Sequence, residues 1–368
     1  MRDRLRLSAV LVSAVLACAP TPSIATSTAT PAAASGSPTP RASTPAPATA
    51  SPTQATQPRI AVSDGPLTSG TSAYLFFQLP NDPRFRAISF DGAASGIVPL
   101  QVAPNAIWSQ SPGTPVVIGT TAYTREGVTL GTVPWRAGEF SWSSDGRFMC
   151  AVTPDQPVNG SPLRLATALV GQPQKPVGNG FGAYGDNATS PVLACDEGRD
   201  RAIVATFGQG VAPGRLWIFR ISTAALVRTV DYSSRAASIR WVAASADGSL
   251  IAEAEQIGSA GVWKTTIVSA DDGAPLAAID GIVQGFSGDN TLAVVSSVGS
   301  AAVVEWKTGR KIWSASDVYG GFLPEPAGKR LVVGMGMTGG SDKADVYLVQ
   351  PDGTAPLLPA RVRVMLRY

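Results

Sequence analysis

Between Phe140 and Val152 the chain runs Phe-Ser-Trp-Ser-Ser-Asp-Gly-Arg-Phe-Met-Cys-Ala-Val. Apolar residues on each side of an Asp-Gly pair predict two short strands joined by a tight turn. Related copies follow at Ser245–Ala252 around Asp247-Gly248 and at Phe286–Val295 around Asp289-Asn290, with a looser one upstream from Trp108 to Ile118. A second hairpin type alternates with the first. Its seven copies centre on Asp91-Gly92, Gly127, Gly171, Ser222-Thr223, Asp272-Gly273, Thr308-Gly309 and Asp352-Gly353. No stretch sustains a 3.6-residue apolar period, so almost no helix is expected.

From Gly92 to Gly353 the chain covers 261 residues in six intervals, about 43 per repeat. Two hairpins per repeat make four strands, the unit of a propeller blade. The expected fold is therefore all-β, a single β-propeller of seven four-stranded blades over 59–368. The blades are laid out as 59–100, 105–135, 139–177, 190–230, 237–279, 281–313 and 320–368. Arg59–Ser63 and Arg361–Leu366 flank the repeats, and either could return to complete the blade at the other end. A pair of β-sandwiches is the rival architecture, but Greek-key sandwiches do not alternate two hairpin types so regularly.

Composition agrees with many short strands. Hydrophobic residues make up 44% of the 368, yet aromatics only 7%, while 38 Gly and 30 Pro supply turns. The first 58 residues are different. Arg2, Arg4 and Arg6 precede an apolar core from Leu7 to Ala17, too short to span a bilayer and ordered as a secretory signal is. Residues 19–58 are 35 parts in 40 Ala, Pro, Thr and Ser. Such a segment lacks the apolar surface to offset the entropy of ordering. At about 3.1 Å per residue it could reach roughly 120 Å. A glycosylated stalk has the same composition.

Two resemblances sharpen this reading. Val15-Leu16-Ala17-Cys18 resembles the bacterial lipobox, which implies a lipoprotein signal peptide over 1–17, lipidation of Cys18 and a linker over 18–58. That address is exported, lipid-anchored and extracytoplasmic. Trp142-Ser-Ser-Asp-Gly146 and Val304-Glu-Trp-Lys-Thr-Gly-Arg-Lys-Ile312 resemble the WD40-like, TolB/YVTN-type propellers of bacterial envelope proteins. No blade ends in Trp-Asp; Trp306-Lys307 stands where that pair is typical.

Charge and missing residue types narrow the function. Beyond residue 58, basic and acidic side chains balance at 25 each, and no Lys/Arg run occurs, so nucleic acid is not an expected partner. There is no histidine, which removes imidazole acid–base catalysis and His-ligated zinc. An enzyme would depend on carboxylates, Lys or Tyr. Glu253 and Glu255 share a strand face and could suit glycan hydrolysis, although pairing with Arg240 or Lys264 explains them better. Asp196-Glu197-Gly198-Arg199-Asp200 could suggest a cation site, but it falls where a turn belongs. No cofactor is expected. Cys150 and Cys195 lie in adjacent blades and could form a disulfide if their Cα atoms approach within about 7 Å; free buried thiols are the more ordinary outcome.

The loops entering the blades are expected to carry a binding face. They bring Tyr184 and Asp186, Tyr232 and Arg235, and Asp317 and Tyr319. The favoured reading is a membrane-anchored propeller that binds or scaffolds an unknown protein or glycan. The alternative is an extracytoplasmic, carboxylate-dependent hydrolase or lyase on the same scaffold.

Overall fold

The computed structural model describes residues 58–67, 74–103, 106–111, 115–156, 160–182, 192–207, 213–232, 239–258, 261–336 and 343–366. Within them there are 27 strands and no helix. The first three are β1 (Tyr74–Gln78), β2 (Arg84–Ser89) and β3 (Ser95–Gln101). Five antiparallel four-stranded sheets follow in chain order. They are β4 (Trp108–Gln110) to β7 (Thr129–Thr132) through β5 (Val116–Ile118) and β6 (Thr121–Tyr123), and β8 (Ser141–Trp142) to β11 (Lys175–Phe181) through β9 (Phe148–Pro154) and β10 (Leu163–Leu169). The third runs through β12 (Val192–Asp196), β13 (Arg201–Phe207), β14 (Pro213–Arg220) and β15 (Ala225–Asp231). The fourth comprises β16 (Ile239–Ala244), β17 (Leu250–Ile257), β18 (Val262–Ser269) and β19 (Pro275–Asp280). The fifth comprises β20 (Ile282–Phe286), β21 (Leu292–Ser297), β22 (Ser300–Glu305) and β23 (Arg310–Ala315). Last come β24 (Tyr319–Pro324), β25 (Leu331–Met335), β26 (Lys343–Val349) and β27 (Val362–Val364).

The fold is a β-propeller, but the expected seven four-stranded blades are corrected to five among the described residues. The strands assigned to the first and last blades form one seven-stranded sheet, in the order β24-β25-β26-β27-β1-β2-β3. The cause is β27. Its Val362 and Arg363 pair with Ala344 and Lys343 of β26, while Arg363 and Val364 pair with Gln78 and Phe77 of β1. One short strand thus hydrogen-bonds two neighbours and leaves no break between them.

Arg363 reinforces the join. It is buried, donates to Gln78 Oε1 at 3.0 Å and to the Ala106 carbonyl at 2.7 Å, and lies over the Trp108 ring. The N-terminal segment adds a strap outside this sheet. Arg59 bridges Leu357 and Pro66 bridges Ile97, both in parallel. Beneath it the buried Arg86 binds Asp64 at 2.6 Å, Asp82 at 2.8 Å and the Ser63 carbonyl at 2.9 Å. A buried guanidinium requires such partners. It holds the Asp64 carboxyl below the usual carboxylate range, and Arg84, aided by Arg86, does the same for Asp82.

Packing follows from the period of two. On β13, Ile203 and Ala205 point into the seam shared with the β16–β19 sheet, while Ala202 and Val204 point into the seam with the β8–β11 sheet. Each face of this sheet is therefore buried. The few aromatics mark the seams: Phe85 meets Trp108 edge-on at 5.2 Å, Phe181 lies 5.0 Å from Trp217, and Trp313 lies 5.1 Å from Tyr347.

The turns at Asp145-Gly146 and Asp247-Gly248 join the first two strands of their blades, as expected, and contain a device of their own. In the copy at 143–148, the buried Ser143 donates its hydroxyl to Asp145 and accepts the Phe148 amide at 3.0 Å, while Asp145 accepts the Arg147 amide at 3.0 Å. Ser245 and Asp247 repeat this, as do Ser287 and Asp289. Successive turns are also tied together. Ser144 donates to Asp196, Arg199 pairs with Asp247 at 2.7 Å, and Asn290 donates to Ser249 at 3.1 Å.

Two outcomes test this account. Gly146 has φ +71°, and Asn290 holds the equivalent place at +59°. Gly146→Val should cost about 1–3 kcal/mol, whereas Gly146→Asn should cost less than half as much, read by urea unfolding. Equal costs would refute the turn assignment. The second concerns Asp247. Burial pushes its carboxyl up, but the Ser249 amide and the Ser245 and Asn290 side chains outweigh this and hold it below 3.8. A depressed folded-state value stabilises the fold above about pH 4, and that stability is lost as pH falls through the folded value. Asp247→Asn should therefore be less stable at pH 7 yet lose less on acidification from pH 5 to 2. Parallel acid profiles would contradict it.

Candidate functional site

The strands β8, β12, β16, β20 and β24 open their sheets and adjoin one another in sequence, so they surround the propeller axis. Four of them share an irregularity. Pairing skips Leu193 between Val192 and Ala194, Arg240 between Ile239 and Trp241, Gln284 between Val283 and Gly285, and residue 320 between Tyr319 and Gly321. Each is a β-bulge near the start of its strand, at the end where the chain enters from the preceding sheet. A bulge turns one side chain out of the strand's alternation. Leu193 and Gln284 are half-buried, and Gln284 donates to Ser296 Oγ at 2.8 Å. Arg240 is exposed.

The loops expected to form a binding face lead into these strands. Tyr184, Asp186 and Arg235 lie outside the described residues, as does Cys18. Tyr232, expected on the open face, is instead fully buried, and its hydroxyl donates to Glu253 Oε1 at 2.9 Å. That bond also explains Glu253: the carboxylate is nearly covered because β17 lies in the middle of its sheet. Glu255, two residues on, is half-buried and stands opposite Lys264 in register.

Asp317 and Tyr319 lie in a corner where β24, β25 and β26 begin or end. Tyr319 pairs with Met335, and Met335 with Asp345, so the three form one cross-strand row. Asp317 is exposed and accepts the Val318 amide at 2.7 Å. Arg361 approaches Asp345 at 4.0 Å and donates to the carbonyls of Gly336 and Lys343. Burial pushes the Tyr347 phenol up, and the negative charges of Asp345 and Asp317 push it further.

The acidic stretch 196–200 is a turn, as expected. Asp196 accepts the Arg199 amide at 2.8 Å, and Asp200 accepts the Ser222 hydroxyl at 2.6 Å. Among the described residues no three His, Cys, Asp or Glu side chains are grouped as metal ligands. Cys150 on β9 and Cys195 on β12 are joined by a disulfide, with Cα atoms 5.8 Å apart, against the expectation of free thiols. Both lie fully buried in the seam between their sheets.

No protein-family description matches the chain, and no curated protein matches it. Solved β-propellers of WD40 and TolB type do. Sqt1 of Saccharomyces cerevisiae is 10% identical, covering 84% of this chain and 100% of its own, with a TM-score of 0.42. Hsv2 of Kluyveromyces lactis is 12% identical, covering 83% and 99%, with a TM-score of 0.44. TolB from Acinetobacter baumannii is 15% identical, covering 65% and 62%, with a TM-score of 0.40. Likenesses this remote say nothing of what the chain binds.

The disulfide closes a loop over a separation of 45 residues. Chain entropy puts its contribution at about 2–4 kcal/mol. The double change Cys150→Ala and Cys195→Ala should lower stability by that amount in urea, and reductant should then have no further effect. A double variant as stable as the oxidised protein would exclude the bond.

Proposed function

We propose that this protein is an exported lipoprotein, anchored through Cys18, that displays its propeller as a protein-binding module outside the cytoplasmic membrane. The scaffold suits such a role, because its strands pack against neighbouring sheets on both faces, and loops carry binding surfaces at little cost to such a core.

One observation supports the address above the others. A buried disulfide between two neighbouring sheets belongs to an oxidising compartment and is rare in a reducing cytosol. The apolar stretch Leu7–Ala17 and the cysteine behind it agree with that compartment. For the binding role, the support is the Asp317, Tyr319, Asp345 and Arg361 corner, where charged groups surround half-buried tyrosines at one end of the blades. Tyr and Arg are the side chains that most often dominate protein interfaces.

Cys18→Ala tests the anchoring. Acylation supplies the membrane affinity, so the variant should move from the membrane to the soluble fraction on ultracentrifugation, and the wild type should be labelled by a clickable fatty-acid analogue. Equal membrane retention of the two would refute the anchor. Crosslinking and pull-down of the wild-type chain from membranes then tests the binding role.

A further inference from the structure

We propose that Arg240 is the anchor of a carboxylate-recognising site at the propeller axis, and that its ligand is an Asp or Glu side chain in a peptide segment of a partner protein. The inference rests on the reading of the propeller as a protein-binding module and adds the chemistry of what is bound.

Three observations converge. Arg240 is the skipped residue of a bulge, so its side chain leaves the alternation that would bury it against a neighbouring sheet. It is exposed although β16 is an inner strand flanked by β12 and β20. It also forms no ion pair among the described residues. Other arginines of the fold are committed to structure: Arg86 to Asp64 and Asp82, Arg201 to Asp271, Arg363 to Gln78.

The corresponding bulge residues are Leu193 on β12, Gln284 on β20 and Gly320 on β24. An unpaired guanidinium presents a planar fork of donors that matches a carboxylate bidentately. The balanced charge of 59–368 argues against a polyanion such as nucleic acid, which needs many cations rather than one.

The test is a random heptapeptide display library selected against the purified wild-type chain and against Arg240→Gln, Arg240→Glu and Lys311→Gln. Lys311 lies on the outermost strand β23 and serves as the control. Wild type and Lys311→Gln should enrich Asp- or Glu-containing peptides. Arg240→Gln should lose that enrichment, and the best wild-type peptide should bind it at least about tenfold more weakly by fluorescence anisotropy. Arg240→Glu should enrich Lys or Arg instead, a gain that misfolding cannot produce. Acidic enrichment that survives Arg240→Gln, or wild-type peptides without acidic bias, would overturn the site but leave the binding module standing. Recovery of no peptide by the wild type would overturn both.

Discussion

A fold made entirely of strands must manage its open edges, and here three residues cover two of them. β27 satisfies the backbone of β26 on one side and of β1 on the other, and that double pairing joins the two ends of the chain. Unpaired edges would offer rows of amides and carbonyls to other chains. Arg363, at the centre of the strand, adds bonds to Gln78 and to the Ala106 carbonyl and rests on Trp108. The pairing, the buried charge and the aromatic seam are one assembly, and the five separate blades depend on it for their closed arrangement.

Much of the architecture is legible in the sequence. The alternation of apolar residues and the Asp-Gly pairs locate the hairpins of the five four-stranded sheets, because period and turn chemistry are local. The returning end segments at Arg59–Ser63 and Arg361–Leu366 are also visible as unused pieces. Their effect is not. Whether β27 completes one blade or fuses two depends on hydrogen bonds between residues nearly the whole chain apart, and no local pattern encodes that. The serine two places before each aspartate is a further local signal, whose meaning emerges only from the structure: Ser143, Ser245 and Ser287 close their turns from inside the core.

The candidate site is less legible. Asp317 lies just before β24 and Tyr319 opens that strand, but Tyr232 goes inward, where its hydroxyl meets the buried Glu253. The bulges leave no trace at all. Leu193, Arg240, Gln284 and Gly320 have no chemical type in common, and a single extra residue in an inner strand does not disturb the apolar pattern on either side. The disulfide escapes sequence reasoning for a related cause. Cys150 and Cys195 sit in strands of different sheets, and the distance between those sheets is a tertiary quantity.

The strap and β27 also set a timetable. Arg363 reaches Gln78 across 285 residues, so the strand that covers the edge of β1 emerges after every sheet between has been made. The five blades pair only with near neighbours in sequence and can form one by one, whereas loop closure over such a span is slow. Until β27 arrives, Tyr74–Gln78, five consecutive buried positions, lies uncovered on that side. A chain without Val362–Val364 would keep that apolar edge permanently open to other copies of itself.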